Sequence, residues 1–228
     1  MAARPPERCT RMNKCFKLRQ ILLALIIAAV PGTGCAEWVF QVATGSSYSF
    51  PSRLIIEQDG EEDIDFSAEW ETRAWATQAP YYDLRIGKWK NDHAWEFESL
   101  HQKLYLKNKP DAVQKFSISH GYNYNMLNYA LRRHGLIGRV GVGFIMTHPE
   151  TKVRGERNED DGGLNGFYIS GAGGQLALEK RFYFAGNWLL SFEGKFTAAY
   201  AVIPIADGTA TVPNFAVHGL VGIGYAFK

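Results

Sequence analysis

Three features of the 228-residue sequence predict an all-β fold: an eight-stranded antiparallel up-and-down transmembrane β-barrel that follows a cleaved signal peptide. A basic and then apolar leader opens the chain. Segments of ten or more residues alternate between an apolar face and a small or polar face. The links between those segments alternate between short and long. The division expected is a signal peptide over 1–36 and a barrel domain over 37–228.

The leader comes first. Arg11, Lys14, Lys17 and Arg19 precede the apolar run Ile21 to Val30, and small residues follow as far as Gly34-Cys35-Ala36. This is the n-region, h-region and cleavage-site pattern of a secretory signal, with cleavage expected after Ala36 and Met12 as an alternative start. The run is too short for a membrane helix, which needs about 20 residues. A lipidated Cys35 is the rival reading, but Gly32 stands where such a signal usually has an aliphatic residue. All three cysteines (Cys9, Cys15, Cys35) lie in this leader, so the mature chain has no disulfide and no thiol chemistry. Charge follows the same division. The whole chain has 25 Lys and Arg against 23 acids, but residues beyond 36 keep 19 against 22, a poor balance for binding nucleic acid.

The strands then follow in order, at roughly 37–48, 80–90, 94–107, 116–132, 137–152, 166–183, 187–203 and 212–227. The pattern is clearest in the last two. From Trp188 the even positions are mostly large and apolar as far as Val202, while Ser191, Glu193, Lys195 and Thr197 lie between them. Phe215, Val217, Val221, Ile223, Tyr225 and Phe227 share one face of the final segment, and His218 lies on the other. A soluble sandwich would have shorter strands and more Lys, Glu and Thr outside. Asn91-Asp92-His93, Arg133-His134-Gly135 and Ala185-Gly186-Asn187 read as tight turns, and 49–79, 108–115, 153–165 and 204–211 as longer links. Aromatic residues such as Trp38, Trp89, Trp95, Tyr105, Trp188 and Tyr225 gather near strand ends, where lipid headgroups select them.

With the apolar face toward lipid, the interior holds Asp83 and Arg85, then Glu96 and Glu98, Arg139, Glu179 and Arg181, Glu193 and Lys195, and His218. Buried charges persist when paired, so these residues are expected to form an interior ion-pair network in a lumen too narrow to conduct.

The closing GLVGIGYAFK resembles the C-terminal strand signal of outer-membrane proteins, with Phe227 penultimate. The mature chain resembles the OmpA-like eight-stranded barrels. Within that class it looks most like the lipid A oxidase-type outer-membrane proteins. The matching stretches are Pro80-Tyr81-Tyr82-Asp83-Leu84-Arg85, Leu100-His101-Gln102-Lys103, Leu127-Asn128, Gly141-Val142-Gly143 leading into His148-Pro149-Glu150, and Glu193-Gly194-Lys195. The resemblance implies an outer-membrane location, contact with outer-membrane lipids and lipopolysaccharide, and insertion by the barrel-assembly machinery as a monomer.

Two functions follow. One is a structural or interaction role, with no cofactor, for a plugged barrel that displays surface loops. The alternative, from the resemblance, is a metal- and oxygen-dependent modification of lipid A at the outer-leaflet rim. His101, His148 and Glu150 are then the catalytic and metal-ligating candidates, since two imidazoles and a carboxylate suit a divalent ion with open positions. Strict alternation puts His148 with Val140, Val142, Phe144 and Met146, and His101 with Trp95 and Phe97; a bulge near Pro149 would re-aim His148. Ser119 and His120 are adjacent, so in a regular strand they face opposite ways and make no dyad. The acidic stretches Glu61-Glu62-Asp63 and Glu159-Asp160-Asp161 read as solvated loop tips or as divalent-cation attractors.

Overall fold

The computed structural model describes residues 37–75, 80–158 and 166–227. The signal peptide expected over 1–36 and the acidic stretch Glu159-Asp160-Asp161 lie outside them. Fourteen strands occur in the described chain: β1 (Glu37–Ser49), β2 (Ser52–Gln58), β3 (Ile64–Ala68), β4 (Trp70–Glu71), β5 (Tyr82–Lys90), β6 (His93–Leu106), β7 (Val113–Arg133), β8 (Leu136–Thr147), β9 (Glu150–Val153), β10 (Glu156–Asn158), β11 (Tyr168–Phe184), β12 (Trp188–Ile205), β13 (Gly208–Thr211) and β14 (Asn214–Phe227).

Eight of these close a ring. β1 pairs β5, and the order runs on through β6, β7, β8, β11, β12 and β14 back to β1, every pair antiparallel. Trp38 opposes Phe227, so the first and last staves meet and no edge is left along the tube. The three tight turns all lie at one end. They are built by residues that take positive φ: Asn91, His134 with Gly135, and Ala185 with Gly186. The chain is an eight-stranded up-and-down barrel of the transmembrane kind.

The faces follow from alternation. Outside, Phe40, Val42, Ile86, Phe97, Leu127, Val140, Val142, Leu176, Phe192, Val221 and Ile223 are exposed, as a bilayer requires. Inside, Val39, Trp89, Ala94, Ala130, Ile137, Leu189 and Ala226 form an apolar plug at the short-turn end. The guanidinium groups of Arg132 and Arg181 lie 4.7 and 5.2 Å from the Trp89 ring.

The long links differ from the sequence reading. Residues 49–79 carry β2, β3 and β4, 204–211 carry β13, and the segment expected to run straight from 137 to 152 breaks after Thr147 and resumes as β9. β3, β2 and β13 extend β12 as a sheet, while β10 and β9 extend β7. The reason is period 2 again: Leu54 and Ile56 are buried between the exposed Arg53 and Glu57. Together with Trp70, Leu104, Leu106, Phe116, Ile118, Val153, Ile203 and Val212 they make a continuous apolar core at the long-loop end. Arg154 ties this cap together, donating to Gln58 Oε1 (2.9 Å) and to the Glu62 carbonyl (2.5 Å).

Candidate functional site

Two polar constellations stand out, one inside the barrel and one on its wall. Inside, Asp83, Arg85, Glu96, Glu98, Arg139, Glu179, Arg181, Glu193, Lys195 and His218 are all buried. Arg139 donates to Glu96 (2.5 Å), Glu179 (2.5 Å) and Glu193 (2.9 Å). Arg85 holds Glu98 (3.0 Å), Asp83 (2.9 Å) and Glu193 (2.9 Å), and Lys195 holds Asp83 (3.0 Å), Glu193 (3.1 Å) and Glu98. Arg181 holds Glu179 at 3.0 Å. Neutral groups complete the shell: Asn128 and Gln175 donate to Glu98, and Gln41 to Glu179. His218 is held by the Tyr81 hydroxyl at Nδ1 (2.6 Å) and by Thr197 at Nε2 (2.8 Å). Five carboxylates thus share four permanent cations, each bridging several strands. The space between Gln41, Asp83, Arg85, Ser191 and Glu193 has no room for a water molecule. This network closes the tube.

The second constellation lies on the outer face. One row of paired outward positions reads Ile223, Val42, Leu84, Ser99, Asn125, Phe144 around the wall. It is apolar except on β6 and β7. Above it, His101 opposes Tyr82 on one side and Asn123 on the other. Its ring stacks on Tyr82 (4.9 Å between centroids, 6° between planes) and its Nδ1 is 2.8 Å from Asn123 Oδ1. Ser99 donates to Asn125 Oδ1 at 3.1 Å. Polar groups therefore occupy the outward register positions of β6 and β7 toward the long-loop end, where His101, Asn123 and Asn125 are buried.

At the top of this strip the strand is irregular. Gln102 pairs with Tyr122 but Leu104 pairs with Ile118, so β7 carries two residues more than β6 across this stretch. Gly121 makes the bulge possible with φ +124°, a conformation that side chains with a Cβ rarely adopt; a Cβ there would lie 2.4 Å from the Asn123 side chain. The bulge corrects the expectation that Ser119 and His120 face opposite ways. Ser119 Oγ lies 3.3 Å from His120 Nδ1 and donates to Glu150 Oε1 at 2.7 Å, while His120 Nδ1 reaches the same oxygen at 2.7 Å. Glu150 enters from β9, which pairs with the upper part of β7 in register Glu150 to Ser117. Lys115 Nζ is 3.0 Å from its other oxygen. Partial burial works against the Glu150 carboxylate, but hydrogen bonds from Ser119 and Lys115 and the charges of Lys115 and His120 outweigh it and hold its pKa below the ordinary range.

The break after Thr147 also settles where His148 goes. It leaves the regular lattice, donates its backbone N–H to the Gly121 carbonyl (3.2 Å), and packs its ring against His120 (4.8 Å) and Phe167 (4.9 Å). His101, His148 and Glu150 therefore occupy one side of the wall but not one ligand set. The Nδ1 of His101 is engaged by Asn123, and Glu150 by Ser119, His120 and Lys115. Among the described residues no three His, Cys, Asp or Glu side chains lie close enough to share a metal ion. As they stand, the three donors do not fit the divalent ion that the lipid A oxidase resemblance implies.

Beside Ser119 and Glu150 opens a cleft of about 320 Å³, lined by Arg73, Tyr105, Leu106, Lys109, Lys115, Phe116 and Ser117. Arg73 sits 4.5 Å above the Tyr105 ring. Sequence reasoning missed Ser119 and His120 because a bulge has no period. Its one visible mark is Gly121, directly after the pair.

No family model and no curated protein sequence matches the chain. Solved structures that it is similar to include Ail, the attachment invasion locus protein of Yersinia pestis, at 10% identity over 84% of this chain and 97% of that one, with a TM-score of 0.40. Neisserial surface protein A is similar at 10% identity over 84% and 99%, with a TM-score of 0.39. The outer membrane protease OmpT from Escherichia coli is similar at 10% identity over 88% and 99%, with a TM-score of 0.41. The fold stands on the closed strand order of this chain itself.

Proposed function

We propose that this chain is an integral outer-membrane protein that modifies the lipid A of the outer leaflet at its extracellular rim. In this reading the signal peptide exports it, the barrel-assembly machinery inserts it as a monomer, and the long-loop end faces outward. The observation that carries the reading is the polar cluster at the outward register positions of β6 and β7 near the long-loop end: Ser99 with the buried His101, Asn123 and Asn125, rising to Ser119, His120, His148 and Glu150. Titratable side chains are costly when buried in the wall of a membrane barrel, and where they persist they mark function. A lumen filled with ion pairs supports the same conclusion from the other side, because it leaves the wall and the cap as the working surfaces.

A second reading, a purely structural or interaction role, draws support from the folded cap and the closed lumen. Mass spectrometry of lipid A from cells with and without the protein separates the two. A gain of one oxygen on the proximal sugar marks the oxidase chemistry of the family resemblance, and loss of an acyl chain marks hydrolysis. An unchanged profile overturns the lipid A reading and leaves the structural role.

A further inference from the structure

The geometry points to Ser119 as the nucleophile of an acyl-ester hydrolase, with Glu150 as its base and the adjoining cleft as its substrate site. This rests on the rim reading for its location and goes beyond it in naming the reaction.

Three observations carry it. The bulge at Gly121 brings Ser119, His120 and Glu150 together from two strands, so that one hydroxyl, one imidazole nitrogen and one carboxylate oxygen meet within 2.7 to 3.3 Å. Both Ser119 and Glu150 line the 320 Å³ cleft, so the hydroxyl has space in front of it. The cleft is chemically mixed: Leu106 and Phe116 offer an apolar wall, and Arg73, Lys109 and Lys115 offer positive charge. An acyl ester within an anionic amphiphile matches it, the acyl chain against the apolar wall and the anionic group against the cations.

The step balances without any further reactant but water. The Ser119 hydroxyl adds to the ester carbonyl while its proton passes to the Glu150 carboxylate. The tetrahedral intermediate collapses, the C–O bond to the alcohol breaks, and the alcohol leaves with that proton. Water then adds to the Ser119 ester, giving its proton to Glu150, and Ser119 departs and recovers it. The net change is ester plus water to carboxylic acid plus alcohol. Lys115 Nζ beside Glu150 supplies positive charge toward the developing oxyanion, and Tyr105 lines the same cleft. His120 is a positioning residue that fixes the carboxylate.

The experiment uses the full-length protein folded in detergent micelles, treated with an alkyl fluorophosphonate and mapped by peptide mass spectrometry. The same samples are assayed on a medium-chain p-nitrophenyl ester, on lipopolysaccharide and on phosphatidylglycerol vesicles. Labelling on Ser119 is expected. Ester hydrolysis should fall about 100-fold or more in Ser119→Ala and in Glu150→Gln, while Ser67→Ala, on the exposed face of β3, keeps it. Each variant is first shown to be folded by its heat-modifiable gel mobility. Folded protein that leaves Ser119 unlabelled overturns the inference, as does a folded Ser119→Ala that hydrolyses the ester at the parent rate. Labelling with cleavage of phosphatidylglycerol alone keeps the hydrolase and overturns lipid A as substrate. A changed lipid A with Ser119 unlabelled keeps the rim reading and overturns the serine.

Discussion

The barrel tube and the cap at its long-loop end are built from the same continuous strands with opposite polarity. In the tube the exterior is Phe, Val, Leu and Ile, and the interior holds five carboxylates and four cations. In the cap Leu54, Ile56, Leu104, Ile118 and Ile203 are inside, and Arg53, Glu57 and Asp65 are outside. β12 passes through both: its inward positions run from Glu193 and Lys195 to Ile203 and Ile205. The difference teaches that alternation alone says nothing about solvent. The same period 2 serves lipid outside and charge inside, then water outside and oil inside, and the change occurs where the chain leaves the bilayer. The polar strip of β6 and β7 sits at that seam.

If the contrast holds, the largest effect comes from breaking the tube's interior. Arg139→Met leaves Glu96, Glu179 and Glu193 short of a cation in a dry lumen, and should lower stability by about 3–5 kcal/mol, read by urea unfolding in micelles. The cap should fail differently. Ile56→Ala removes a fully buried side chain for about 2–5 kcal/mol of local stability, seen as faster amide exchange in β2 and β3 while the tube keeps its heat-modifiable mobility. On the outer wall, Val142→Arg places a charge in the lipid belt and should cost about 2–4 kcal/mol if the site lies near the midplane. The exposed Arg53 to Asp65 pair on the cap is the opposite limit: Asp65→Asn should leave the unfolding transition where it is, because water screens that pair.

A pH titration sharpens the seam. The pKa of Glu150 is depressed in the folded protein, so its stabilising contribution is present above the ordinary carboxylate value of 4.5 and is lost as pH falls through the lower folded value. The stability difference between the parent and Glu150→Gln should therefore persist from neutral pH to 4.5 and shrink only below it. A difference already gone at neutral pH would mean that Ser119, Lys115 and His120 do not hold the ionised form.

Much of this was legible in the sequence. All eight staves, the three tight turns and the inward direction of Asp83, Arg85, Glu96, Glu98, Arg139, Glu179, Glu193, Lys195 and His218 follow from period 2, which the staves obey over the stretches that carry these residues. The cap was less legible because β2 and β13 are short, at seven and four residues, and lie among charged and Gly residues that read as loop. The wall site was hidden for a different reason. It exists because β7 breaks the period at 119–121 and the chain breaks it again at His148-Pro149, and an irregularity leaves only a glycine or a proline to mark it.

The most direct test of the inverted halves is a spin-label scan. With the three native cysteines confined to residues 1–36, single cysteines placed along β12 from Leu189 to Ile205 and along β2 from Ser52 to Gln58 carry the label in a bilayer. Outward positions of β12 from Leu190 to Tyr200 should be open to lipid-soluble oxygen and closed to an aqueous nickel reagent. Outward positions of β2, Arg53 and Glu57, should show the reverse, with Leu54 and Ile56 closed to both. Oxygen access at Glu193 and Lys195, or the same reagent preference on the outward faces of both strands, would contradict the account.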